Sequence, residues 1–143
     1  MFDKILAAID LDDESANRVL DKVQDLAKGE VWVIHAVEPQ YVQYSIDPTF
    51  TGSLTRAMEE DAIKAARSRL AEVCANRGIG EDHQLVTIGR AADKIHEAAA
   101  EHGVDVILIG SHARKGLGRL LGSTANAVLH GSPINVMTIR VTE

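Results

Sequence analysis

A chain of 143 residues has room for one sizeable core, and 45% apolar with 25% charged residues is globular composition, not that of a disordered segment. A net charge of −6 excludes a general binder of nucleic acid or of anionic membranes, since both need a basic face. The single cysteine, Cys74, cannot form an internal disulfide and suits a reducing compartment.

Lys4 to Ile9, KILAAI, reads as a short buried strand with Asp10 at its end. Val19, Leu20, Val23, Leu26 and Ala27 then recur at helical spacing, with Asp12 or Asp13 as the expected N-cap and Gly29 as the stop. Glu30 to Val37 is a second, β-branched strand. From Glu38 to Gly52 the pattern is irregular, punctuated by Pro39 and Pro48 and holding Tyr41, Tyr44 and Phe50; such a loop folds over a ligand or covers a partner surface.

Ser53 to Asn76 carries the longest helical stripe: Leu54, Ala57, Met58, Ala62, Ala65, Ala66, Leu70, Val73 and Cys74, ended by Gly78 and Gly80. A third strand is expected over His83 to Ile88, a helix over Ala91 to His102 stopped by Gly103, and a fourth strand over Val104 to Ile109. A short helix from Ser123 to Leu129 and a final strand from Ile134 to Val141 complete the alternation. The N-terminus has no basic region before its apolar run, and no run approaches the ~20 apolar residues that span a bilayer. A soluble, cytoplasmic protein without a membrane partner is the expectation.

Strands alternating with helices define the α/β class: a doubly wound, five-stranded parallel sheet of order 3-2-1-4-5, with helices on both faces and one domain over residues 1–143. Ligands of such sheets sit beyond the strand C-termini where the order reverses. That crevice lies between strands one and four, bounded by Asp10 and Gly110.

The fourth strand leads into the stretch most suggestive of chemistry, ILIGSHARKGLGRLLGST, Ile107 to Thr124. A buried strand breaks at Gly110 into small and basic residues, among them Arg114, Lys115 and Arg119, and Gly122-Ser123-Thr124 opens the next helix. Glycines let a backbone approach an anion, and free amides at a helix start can hold it. The spacing is neither a Walker loop nor GxGxxG, and a plain strand-to-helix connection with a Ser123 N-cap gives the same pattern.

GSHARKGLGRLLGST followed by ANAVLHGSPINVMTIR resembles the C-terminal signature of the universal stress protein family, and KILAAID, VWVIHAVE and GRAADKIHEAA extend the resemblance over the whole chain. In its ATP-binding members that signature reads Gly-x-x-Gly, a spacer, then Gly-Ser or Gly-Thr. Gly110 matches the first glycine and Gly122-Ser123 the closing pair; Ala113 stands where the second glycine falls. The resemblance implies ATP or a related adenine nucleotide, with or without Mg2+, as ligand. It places Asp10 and the end of strand two, His35 to Val37 with Ala36 central, at the nucleoside. Ile109, Gly110, Ser111, His112, Ala113, Gly122, Ser123 and Thr124 would hold ribose and phosphates. It also implies a homodimer through the last strand, residues 134–141, whose apolar edge invites a second copy.

Plainer readings stand beside these. Asp10 could cap the first helix, His35 could be core, and the basic trio could be a solvated loop. Ala113 favours a nucleotide-free interaction module regulating a partner protein. The six histidines show no metal-binding pair and no nucleophile elbow appears, so an efficient enzyme is not expected; slow ATP hydrolysis or autophosphorylation has no signal beyond the same loop.

Overall fold

The computed structural model describes residues 2–11, 15–38, 52–111 and 122–141, and of 52–55 the backbone alone. Strands β1 (Phe2–Ala8), β2 (Ala27–Val37), β3 (Gln84–Ile88), β4 (Val106–Ser111) and β5 (Asn135–Arg140) alternate with helices α1 (Ser15–Leu26), α2 (Gly52–Cys74), α3 (Ala91–His102) and α4 (Ser123–Leu129). Every neighbouring pair is parallel and the order is β3-β2-β1-β4-β5, as the alternation predicts.

β1 is central and covered on both faces. Ile5 and Ala7 enter one core with Val19, Leu20 and Val23 of α1 and Ala66, Leu70 and Cys74 of α2. Leu6 and Ala8 enter a second with Ile95, Ala98 and Ala99 of α3 and Ala125 and Val128 of α4. A strand buried on both sides has no polar positions to alternate, hence the unbroken run KILAAI.

Two expectations change here. Gly29 does not stop α1, which ends at Leu26 with β2 following at once. The β1–β2 register runs Phe2↔Ala27 and then Lys4↔Glu30, so β2 carries an extra residue against β1. Gly29 sits in that bulge, where an added Cβ would lie 2.5 Å from the Asp3 carbonyl oxygen. The buried stripe of α2 is also narrower than its apolar pattern. Ala66, Leu70 and Cys74, spaced four apart on one face, are buried, whereas Ala57 and Ala65 are exposed.

Gly103 closes α3 in the left-handed region (φ 61°), its amide and that of Val104 returning to the Ala100 and Ala99 carbonyls. Asp105, expected inside strand four, precedes it. Its carboxylate accepts the amides of Asp3 (3.0 Å) and Lys4 (2.9 Å), and its own amide bonds the Lys4 carbonyl at 2.8 Å. Asp105→Ala should therefore lower stability by about 1–2 kcal/mol in urea titration.

Cys74 is 2% exposed, and burial pushes its thiol up despite the opposing Arg77 guanidinium. It should resist thiol reagents at neutral pH and react only after unfolding. Trp32, the single tryptophan, is stacked between His83 and His102 with ring centroids 3.9 Å away on each side. That stack pins the turn before β3 and the end of α3 to β2, at the end of the sheet away from the expected crevice.

Candidate functional site

The exit of β1 is held rigidly. Ile9 continues the ladder, its amide bonding the Ile34 carbonyl at 3.0 Å. Nδ1 of His35 then lies 3.2 Å from the Leu11 amide and 3.3 Å from the Ile9 carbonyl. With its proton on Nε2 the ring accepts from Leu11; with its proton on Nδ1 it donates to Ile9. Arg69 of α2 donates to the Leu11 carbonyl. His35 is 7% exposed and packs on the α1/α2 side, which settles one open reading: it is core, and it fixes the segment carrying Asp10. Ile9 and Leu11 are buried in that same core, leaving Asp10 between them exposed. Residues 12–14, between Asp10 and the first described residue of α1, Ser15, lie outside the described residues.

Register brings several expected residues together. Ala8 pairs with Ile34 and with Ile109, and all three lie in the α3/α4 core. β1 ends at Ala8, and Asp10 follows it at the C-terminal rim, where β2 carries Ala36 and β4 carries Ser111. Strand pairing extends that row at both ends, Ala36↔Thr87 on β3 and Ser111↔Arg140 on β5. Taken in strand order, the rim thus carries a hydroxyl, a methyl, a carboxylate, a hydroxyl and a guanidinium. Thr87 and Arg140 have no motif in the sequence; only the pairing identifies them.

On the β4 side, Ile109 is 5% exposed and belongs to the core. Gly110 has a packing reason to be glycine: a Cβ there would lie 3.2 Å from Val19 Cγ2 and 3.3 Å from Val141 Cγ2, tight against both. α4 packs on the same face as the row through Ala125 and Val128. Its N-cap is Gly122, with Ser123 as first helical residue, so Ser123 is not the cap. The ladder begins with the Asn126 amide on the Gly122 carbonyl at 2.9 Å, and Ser123 and Thr124 are exposed. Their amides precede that first bond and have no partner within the helix.

Glu38, at the end of β2, accepts the Ala91 amide at 3.0 Å and so caps α3 from the same rim. Asp12, Asp13, the 39–51 stretch, His112, Ala113, Arg114, Lys115 and Arg119 lie outside the described residues. Among the described residues no group of three or more His, Cys, Asp or Glu could hold a metal, and no helix is long and apolar enough to cross a membrane.

A parallel sheet of order β3-β2-β1-β4-β5 with helices on both faces defines the doubly wound α/β class. The universal stress protein family model matches residues 1–140, and the chain belongs to that family. It is 36% identical to universal stress protein A homolog 2 of Coxiella burnetii over 98% of this chain and 96% of that one. To a universal stress protein of Thermus aquaticus it is 32% identical, covering 98% of this chain and 100% of that one. Among solved structures, the fold superposes on the hypothetical protein MJ0577 with a TM-score of 0.76 at 22% identity, over 100% and 99% of the two chains. It superposes on a universal stress protein in complex with cAMP with a TM-score of 0.61 at 21% identity, over 99% and 98%.

Proposed function

We propose that this chain is a single-domain, cytoplasmic stress protein that binds ATP or a related adenine nucleotide as a regulatory ligand. The observation carrying the proposal is the placement of an exposed Asp10, anchored on both sides, on the face where α4 presents the amides of Ser123 and Thr124. An acidic group suits the hydroxyls of a ribose, and unpaired amides suit phosphate oxygens. Asp10, Ala36 and Ile109 receive the nucleoside; Gly110, Ser111, His112, Ala113, Gly122, Ser123 and Thr124 hold the phosphates, with Mg2+ as a possible counterion. The relative solved with cAMP supports an adenine nucleotide as the ligand class.

The test is calorimetric titration with ATP, ADP, AMP and cAMP, with and without Mg2+. Saturable binding in the micromolar range supports the reading, and loss of that binding in Asp10→Asn assigns the nucleoside end. The rival reading, a nucleotide-free interaction module, is favoured instead if no adenine nucleotide binds.

The second part of the proposal is a homodimer through the 134–141 segment. Among the described residues β5 is an edge strand, paired with β4 alone, and an edge invites a second copy. Light scattering should return the mass of two chains; a monomer at all concentrations would remove this part.

A further inference from the structure

Thr87 presents a problem that the proposed nucleotide site resolves. Its Oγ1 is shut off from solvent and has no hydrogen-bond partner among the described residues. A buried hydroxyl left unpaired is destabilising, and valine would fill the same space without that cost. Thr87 also occupies a particular place. It pairs with Ala36, on the face shared by Asp10, Ser111 and the start of α4, and it stands at the far end of the row from Arg140.

β3, which carries Thr87, lies two strand spacings, about 10 Å, from β1, which Asp10 follows. A nucleoside with its ribose at Asp10 and its base over the small Ala36 brings the outer edge of the base to Thr87. The residue as a whole is half-buried although its hydroxyl is hidden. A step to another staggered χ1 well moves hydroxyl, methyl and hydrogen round together and can turn the hydroxyl to a bound base.

Resting on the nucleotide reading of this site, we infer that the Thr87 hydroxyl is a specificity-determining contact to the base, accepting a hydrogen bond from the exocyclic amine of adenine. Ala36 carries only a methyl and leaves that edge of the base without another side-chain partner on β2.

The experiment compares wild type with Thr87→Val by calorimetry, using ATP and purine riboside 5′-triphosphate, which lacks the amine. Wild type should bind ATP roughly tenfold more tightly than the analogue, about 1.4 kcal/mol. Thr87→Val should lose that preference while binding the analogue as wild type does. Without nucleotide the variant should melt at the same or a higher temperature, which separates a lost contact from a damaged fold. If wild type binds ATP and Thr87→Val keeps the full preference, this inference fails and the nucleotide site stands. If wild type binds neither nucleotide, the site reading fails and carries the inference with it.

Discussion

Gly29→Ala should destabilise the protein by about 2–4 kcal/mol, the largest loss expected from adding a single methyl group anywhere in the described chain. The new Cβ would stand 2.5 Å from the Asp3 carbonyl oxygen, a backbone atom that cannot rotate away. Relief requires parting β1 from β2 at the bulge, next to the place where Asp105 gathers the Asp3 and Lys4 amides. Gly78→Ala is the control: its φ of 73° disfavours a side chain, but a Cβ there meets nothing within 4 Å. It should cost about 1 kcal/mol. Urea denaturation of both variants measures the difference. Equal losses would show that left-handed backbone strain, not the close approach of β1 to β2, governs glycine in this fold.

Gly122→Trp should abolish adenine-nucleotide binding, a loss on the order of 100-fold or more, about 3 kcal/mol or beyond. Gly122 is the N-cap of α4 with extended backbone (φ −55°, ψ 153°), a conformation open to any residue, so folding should tolerate the change. An indole at that position stands where phosphate oxygens would meet the Ser123 and Thr124 amides. Far-ultraviolet circular dichroism checks that the fold survives, and calorimetry reads the affinity. ATP binding that persists unchanged in a folded Gly122→Trp protein would remove these amides from the site.

Strand order and helix placement were legible because burial leaves a period in the sequence. The apolar run Ile5 to Ile9 fits a strand covered on both faces, and the stripe Ala66, Leu70 and Cys74 fits a helix buried on one. Gly29 misled because a helix stop and a strand bulge both call for a missing Cβ; what distinguishes them is Asp3, distant in sequence. Gly110 is legible as a special position, but its glycine also serves Val19 and Val141, which no local motif reveals.

The candidate site shows the same divide. Asp10 stands out as the acid that ends an apolar strand, and Gly122-Ser123 as a helix start. His35 reads as an ambiguous strand histidine until its Nδ1 is seen between the Ile9 carbonyl and the Leu11 amide, where it positions Asp10 and does not itself face the rim. Replacing His35 by Leu should leave the Leu11 amide unpaired, cost about 1–3 kcal/mol of stability and weaken nucleotide binding through Asp10. Thr87 and Arg140 join the row by strand pairing across the sheet, information carried by topology and not by any neighbouring residue.

Titration of the purified protein with ATP tests the central claim most directly. A single saturable site per chain with a dissociation constant on the order of 10 μM is the expected result. No heat and no protection against thermal unfolding at millimolar ATP would contradict it, and would leave the rim of this sheet to a different partner.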